Sequence, residues 1–132
     1  MIKIYSDGAY SSSRNRGGWA YVILKDDEKI HHDYGDVFDT TNNRMEIISC
    51  MEGLKYCKTF GIKEVTVFSD SMYLIGTMSK SWRRNKNQDL WIEMEDVISG
   101  LSIEWKHTKG HANDKWNNYC DMLASFASTI VE

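Results

Sequence analysis

The chain has 132 residues, of which 42% are hydrophobic and 27% charged, and its formal net charge is −3. This length and composition are typical of one globular domain, which we expect to span residues 1–132. No apolar run approaches the roughly 18 residues that a membrane helix needs, and the net charge excludes a chain that attracts nucleic acid through its whole surface.

The first third of the chain predicts three strands joined by short polar connections. The strands cover residues 2–7, 18–24 and 29–38. The stretch from Ala9 to Arg16 is polar and basic, which favours a turn or short loop, and Asp26-Asp27-Glu28 forms the second turn. Two hairpin connections would make neighbouring strands antiparallel.

The rest of the chain alternates helices with strands. A helix that one of residues 40–43 can cap runs to about Lys58, and Gly61 marks its end. Strands follow at residues 64–69 and 102–106, and helices at 71–78, 87–99 and from Asn113 or Asp114 through Thr129. This order predicts an α/β protein whose mixed sheet has helices on both faces.

Four acidic residues stand where an ordinary soluble domain would not place them. Asp7 and Asp70 each close an apolar strand, while Glu46 and Asp121 lie in helical stretches next to small and apolar neighbours. Each one alone has an ordinary alternative as a capping or solvated carboxylate. Together and partly desolvated they would repel each other unless a cation joined them, and hard oxygen ligands suit Mg²⁺ or Mn²⁺.

The predicted topology brings these acids to one place. The strands that end at Asp7 and Asp70 can be parallel neighbours, joined by a right-handed crossover through the helix that carries Glu46. Their carboxyl ends would then lie side by side, which is where open α/β sheets bind ligands. The sequence therefore predicts metal-assisted phosphate chemistry at this edge of the sheet.

Residues 80–86, which we call the cationic segment, carry four cations and no acid. An ordinary interpretation is a solvated connection between two helices, but the embedded Trp82 favours a binding partner. Cys50, Cys57 and Cys120 lack metal-ligand spacing and are expected to be free buried thiols. Because the sequence starts without a signal-peptide pattern, we expect a cytoplasmic protein.

Five motifs in this order resemble those of type 1 ribonucleases H and span nearly the whole chain. They are Tyr5-Ser6-Asp7-Gly8, Thr40-Thr41-Asn42-Asn43-Arg44-Met45-Glu46, Ser69-Asp70-Ser71, Lys109-Gly110-His111-Ala112 and Asn118-Tyr119-Cys120-Asp121-Met122-Leu123-Ala124. The resemblance implies a five-stranded mixed sheet in the order 3-2-1-4-5, with the second strand antiparallel. It also implies endonucleolytic hydrolysis of the RNA strand of RNA–DNA hybrids.

The resemblance assigns roles to the acids and to one histidine. Asp7, Glu46, Asp70 and Asp121 fall on four metal-binding carboxylates, and His111 falls on a mobile histidine that assists proton transfer or product release. Two Mg²⁺ ions, or Mn²⁺, would clamp the phosphodiester and leave 5′-phosphate and 3′-hydroxyl ends. We expect Asp7 to bridge the two ions because it ends the central strand.

An enzyme specific for hybrids must test for 2′-hydroxyls on one strand, and backbone groups near Gly8 and Ala9, the amides of Asn42 and Asn43, and Glu46 are suited to this. By resemblance, Thr41 contacts a phosphate of the DNA strand with help from the turn around Ser13, and Met72 occupies a place that relatives fill with Gln or Met. Trp82, Arg83 and Arg84 would lie along the DNA strand. Asp39 stands where relatives usually have an arginine, and Arg14 or Arg16 is a candidate to compensate for it. The basic protrusion of many relatives is shortened here, so we expect weaker substrate binding.

Two other functions stay open at this point. One is a nucleic-acid-binding module that keeps the fold without catalysis, and the other is a DNA-cutting relative such as a resolvase or integrase core. The full set of acids with His111 argues against the first, and the segment from Asn42 to Glu46 argues against the second. No feature of the sequence marks a subunit interface, so we expect a monomer that binds no membrane.

Overall fold

The computed structural model describes residues 1–109 and 114–129, and at its centre is a five-stranded mixed sheet. The strand order is β3-β2-β1-β4-β5, in which β2 is antiparallel to β1 and β3, and β4 is parallel to β1 and β5. The strands are β1 Ile2–Ser11, β2 Arg16–Lys25, β3 Glu28–Phe38, β4 Glu64–Ser69 and β5 Ser102–His107. The predicted order and the antiparallel second strand are confirmed.

Four helices cover the sheet within the described residues. They are α1 Asn42–Thr59, α2 Met72–Ser79, α3 Gln88–Ile98 and α4 Lys115–Ser128. Side-chain oxygens of Thr41, Ser71 and Asp114 cap α1, α2 and α4, each accepting a hydrogen bond from an amide three residues on. None of the helices in the described part of the chain combines the length and hydrophobicity of a membrane span.

The first hairpin is longer than the sequence indicated. The predicted loop from Ala9 to Arg16 is wrong at both ends, because β1 continues to Ser11 and pairs there with Arg16. Ala9 packs against the apolar cluster beneath α4, and Gly18 lets that helix approach, since a Cβ there would lie 2.0 Å from the Ala124 carbonyl oxygen. Burial against α4 and the ladder hydrogen bonds therefore outweigh the polar character of this stretch.

Two apolar layers form on opposite faces of the sheet. The larger lies beneath α1, α2 and α3 and includes Ile4, Ile23, Val67 and Trp91. The smaller joins β2 to α4 through Val22, Cys120 and Ala124 among others. Helices on both faces are thus confirmed, and the two layers fix α1 and α4 at the same central strands. All three cysteines are free and buried, as predicted.

Candidate metal and nucleic-acid site

Three carboxylates converge at the carboxyl edge of the central strands. Asp7 lies on β1, Asp70 follows β4 directly, and Glu46 lies near the start of α1. One oxygen atom from each lies within 4.8 Å of the others. Asp7 and Glu46 are only 3% and 5% exposed, and Asp70 is half-buried. The crossover predicted from the sequence therefore brings these three acids together.

A glycine allows α1 to approach β1 this closely. A Cβ at Gly8 would lie 2.7 Å from the backbone nitrogen of Glu46 and equally close to Met45 atoms, so any larger residue would push the helix away. The Gly8 amide also donates to Asp7 Oδ1 at 2.9 Å, which orients this carboxylate. The Ser6-Asp7-Gly8 sequence thus supplies a ligand and the space for its neighbour.

Burial and mutual repulsion dominate the electrostatics of the cluster. Desolvation raises the pKa of Asp7, and the charges of Glu46, Asp70 and Asp121 raise it further. Desolvation and then Asp70 raise the pKa of Glu46, while hydrogen bonds from Asp7 and Gly8 partly offset the rise. Without a cation this cluster therefore retains a proton that exposed carboxylates would lose.

The donor set fits a hard divalent cation. Within the described residues, Glu46 Oε1 is buried and has no hydrogen-bond partner. An orphaned carboxylate oxygen is costly unless a ligand satisfies it, and carboxylate oxygens are what Mg²⁺ and Mn²⁺ prefer. Asp7, Glu46 and Asp70 are the residues that would hold such an ion.

Two other predicted site residues, Asp121 and His111, are not part of this carboxylate cluster as the structure describes it. Asp121 is exposed on α4 and lies outside the 4.8 Å set, although its charge contributes to the raised pKa of Asp7 and Glu46. The preceding residue anchors this part of α4, because Cys120 Sγ donates to the Tyr5 carbonyl oxygen at 3.3 Å on β1. His111 lies outside the described residues.

The predicted RNA-side residues border the cluster. Gly8 and Ala9 continue β1 beyond Asp7, and Asn42 and Asn43 are exposed in the first turn of α1. The hydroxyl of exposed Thr41 caps that helix by accepting from the Arg44 amide at 3.1 Å. Ser13 is exposed in the first hairpin turn, and Met72 is half-buried at the start of α2.

Asp39 has a structural partner. Asn15 Nδ2 donates to Asp39 Oδ1 at 3.2 Å, and the Asp39 amide donates to the Asn15 carbonyl oxygen at 2.8 Å. Both residues have positive φ. Arg16 pairs with Asp36 at 3.4 Å and stands over the Phe38 ring, so it has contacts other than Asp39. Asp39 therefore ties the first hairpin to the start of α1.

The cationic segment is fixed to the helices on either side. The Trp82 indole is 45% exposed and lies on Gly76 of α2, where a Cβ would come within 2.4 Å of the ring. Arg84 pairs with Glu95 at 2.7 Å and lies over the Trp91 ring, whereas Arg83 is exposed. The predicted contacts of Arg83 and Arg84 with substrate stay predictions.

Sequence reasoning missed a polar network at the start of α3. The Arg44 guanidinium donates to both carboxylate oxygens of Asp89 at 3.0 and 2.8 Å and to Asn87 Oδ1 at 3.2 Å. Asn87 Nδ2 in turn donates to the Tyr73 hydroxyl at 3.0 Å. Because Arg44 and Asn87 are 43 positions apart, no local pattern signals this contact.

Together, the mixed sheet and the three carboxylates at its carboxyl edge define a class of α/β protein whose acidic cluster is compatible with divalent-metal binding. The RNase H family model matches residues 1–129. Ribonuclease H of Treponema denticola is 35% identical and covers 93% of this chain and 94% of its own length. Ribonuclease H of a Thermoanaerobacter species is 37% identical, covering 95% of this chain and 88% of its own.

Solved structures agree on the fold. An N-terminal RNase H domain from Mycobacterium tuberculosis superimposes with a TM-score of 0.85 at 22% identity, covering 96% of this chain and 92% of that one. LC11-RNase H1, solved in complex with an RNA/DNA hybrid, gives 0.84 at 20% identity and covers 96% of both chains. The chain belongs to the RNase H family.

Proposed function

We propose that this chain is an endonuclease that hydrolyses the RNA strand of RNA–DNA hybrids and leaves 5′-phosphate and 3′-hydroxyl ends. The observation that carries the proposal is the carboxylate cluster of Asp7, Glu46 and Asp70, with its unsatisfied Glu46 oxygen, in a chain of the RNase H family. We take residues 1–132 to act as one catalytic domain, which the single continuous sheet supports.

The chain's own residues prepare the site for two divalent ions, which we take to be Mg²⁺, with Mn²⁺ as a substitute. When bound, such ions activate the attacking water and stabilise the leaving 3′ oxygen. Asp7 lies on the central strand, with Glu46 and Asp70 oxygens within 4.8 Å, and would be the ligand shared by both ions. Asp121 completes the ligand set from α4, and its charge already acts on Asp7 and Glu46. His111 assists proton transfer or product release.

The substrate surface extends from the cluster in two directions. Gly8, Ala9, Asn42 and Asn43 offer backbone and amide groups to the RNA 2′-hydroxyls, with Met72 beside them. On the DNA side, Thr41 and Ser13 contact a phosphate, and Trp82, Arg83 and Arg84 lie along the strand. The exposed ring of Trp82 supports this assignment because it provides a stacking surface among cations.

We further propose a cytoplasmic monomer. Three buried free thiols suit a reducing compartment. The residues proposed to contact substrate all belong to one chain, which is the basis for proposing a monomer.

A cleavage assay with three substrates tests the function. Labelled RNA–DNA hybrid, duplex RNA and duplex DNA are each incubated with the protein and Mg²⁺, with Asp7→Asn as the control for contaminating nuclease. We expect cutting of the RNA strand of the hybrid alone, with ends that a 5′-phosphate-dependent exonuclease digests, and no cutting by Asp7→Asn. Binding of hybrid without cleavage would identify a non-catalytic module, and cutting of duplex DNA would identify a DNA-processing relative; either result would overturn the proposal.

A further inference from the structure

The last strand of the sheet ends beside one of the three clustered carboxylates. β5 runs parallel to β4, and the final pair in their register is Ser69 with His107. Asp70 follows Ser69 directly, so His107 lies at the same carboxyl edge of the sheet as the cluster. His107 is exposed. None of the five sequence motifs includes it, and the proposed function gives it no role.

The imidazole of His107 contacts the main chain of Asp70. Its Nε2 lies 3.2 Å from the Asp70 carbonyl oxygen, across 37 positions of sequence. Because a carbonyl oxygen only accepts, Nε2 carries the proton of this hydrogen bond. The next residue adds a second contact, since the Thr108 amide donates to the Ser69 carbonyl oxygen at 2.9 Å. Two successive residues at the end of β5 therefore hold the carbonyl groups of Ser69 and Asp70.

Asp70 depends on such contacts more than the other two acids do. Asp7 and Glu46 lie inside β1 and α1 and are almost fully buried. Asp70 is half-buried and lies in the connection between β4 and α2, which consists of residues 70 and 71. Ser71 is fixed because its side chain caps α2, whereas the carbonyl group of Asp70 is held from another strand by His107. The position of the Asp70 carboxylate therefore depends on β5 as well as on β4 and α2.

The backbone that carries the imidazole is itself held in place. The hydroxyl of the neighbouring Thr108 donates to Asn117 Oδ1 at 3.2 Å, and these two residues are only 9% and 3% exposed. Asn117 lies on α4, four positions before Asp121. The end of β5 is thus anchored to β4 on one side and to α4 on the other. The contact between His107 and Asp70 therefore requires the ordering of only one further side chain.

We propose that His107 is a positioning residue, whose imidazole holds the Asp70 main chain so that the Asp70 carboxylate stays where a divalent ion needs it. The proposal rests on the proposed function, since it takes Asp70 to be a metal ligand. Loss of a contact behind a metal ligand typically weakens metal binding by about 10–100-fold. Because His107 is exposed and contacts the carbonyl group of Asp70, we expect an effect at the lower end of this range.

Four variants separate a positioning role from a structural one. His107→Phe keeps a planar ring and removes the donor, and His107→Ala removes the ring as well. His107→Gln restores a donor, because its side-chain amide nitrogen reaches about as far from the backbone as Nε2 does. Ile103→Val is the matched control, since Ile103 packs against the core from the other end of β5 and its truncation lowers stability without touching Asp70.

The measurement is the rise of Tm with Mg²⁺ concentration for each variant, which reports metal binding without catalysis. We expect His107→Phe and His107→Ala to need about tenfold more Mg²⁺ than the wild type for half of the full rise. His107→Gln should lie within about threefold of the wild type, and Ile103→Val should match it although its starting Tm is lower. Cleavage of hybrid should show the same shifts in Mg²⁺ dependence, with kcat at saturating Mg²⁺ within about threefold.

The outcomes distinguish this inference from the proposed function. If the wild type binds Mg²⁺ and cuts hybrid while His107→Phe and His107→Ala keep its Mg²⁺ dependence, the positioning role is overturned. The same holds if Ile103→Val weakens metal binding as much as they do, or if His107→Gln restores nothing. A lower kcat at saturating Mg²⁺ with unchanged metal binding would place His107 in the chemistry, against the inference. A wild type that neither responds to Mg²⁺ nor cuts hybrid would overturn the proposed function first, and this inference with it.

Discussion

Asp7→Asn should make the metal-free protein more stable although it abolishes hydrolysis. Asp7 has two acidic neighbours, Glu46 and Asp70, with oxygen atoms within 4.8 Å. Two unit charges at that distance repel by about 3 kcal/mol at an effective dielectric constant of about 20. Burial first, and then this repulsion, raises the pKa of Asp7, so uptake of a proton relieves both penalties in the folded state. An amide carries no charge and needs no proton, so we expect a gain of about 1–3 kcal/mol in the free energy of unfolding.

Thermal melting in EDTA at pH 8 measures this gain. For a domain of this size, about 1–3 kcal/mol corresponds to a rise of about 3–15 °C in Tm. Addition of Mg²⁺ should raise the Tm of the wild type steadily, since a ligand that binds only the folded state stabilises it by mass action, and should raise that of Asp7→Asn far less. Asp96→Asn serves as the control, because it removes an exposed charge near the end of α3, where the Asp96 carbonyl oxygen accepts from Lys58 of α1. An Asp7→Asn protein that melts below the wild type in EDTA would refute the reasoning.

Three more predictions concern the same surfaces. The raised pKa of Asp7 gives the wild type a stabilising contribution that is complete below about pH 4 and is lost as pH rises. In EDTA, the difference in stability between Asp7→Asn and the wild type should therefore vanish near about pH 4 and grow toward about pH 9. Thermal melts across this range check the prediction, and a difference that does not change with pH would contradict it. Gly76→Ala should move the Trp82 ring, which would otherwise lie 2.4 Å from the new methyl group, and so weaken hybrid binding measured by titration. The better helix propensity of alanine, about 1 kcal/mol, should keep Tm from falling far. Unchanged affinity would argue against Trp82 as a substrate contact. Asp39→Asn keeps an acceptor for Asn15 and removes one negative charge, so hybrid should bind several-fold more tightly with little change in Tm. If the variant and the wild type bind hybrid with equal affinity at both low and high salt, Asp39 lies away from the phosphates.

The carboxylate cluster could be predicted from the sequence because the ends of apolar strands can be predicted from it. Asp7 and Asp70 each follow an apolar run, and a right-handed crossover through the Glu46 helix leaves few places for these residues to meet. The full order of strands in the sheet came from the family resemblance, while the crossover constraint accounts only for the pairing of the strands that end at Asp7 and Asp70. The boundary of β1 did not follow, because Ala9 to Ser11 become a strand only through pairing with β2 and packing against α4.

Side-chain partners across the helices were the least readable feature. The sequence does not distinguish the four cations of the cationic segment, yet Arg84 pairs with Glu95 and lies over Trp91 while Arg83 is exposed. The sequence likewise gives no sign that Asn87 adopts a left-handed backbone or that its side chain faces Arg44. Such contacts depend on how α1, α2 and α3 pack, which local propensity does not encode.

The net charge of this protein says little about its affinity for an anionic substrate, because that affinity depends on the local electrostatic field at the carboxylate cluster. Without a cation, Asp7, Glu46 and Asp70 present negative charge at the place where the proposed function puts a phosphate. The exposed cations of residues 80–86 attract the same substrate from one side. Metal binding therefore converts the cluster from a repulsive to an attractive surface, and hybrid affinity should rise with Mg²⁺. Because binding linkage is reciprocal, bound hybrid must tighten the metal by the same factor, which makes the two ligands cooperative without any change of fold.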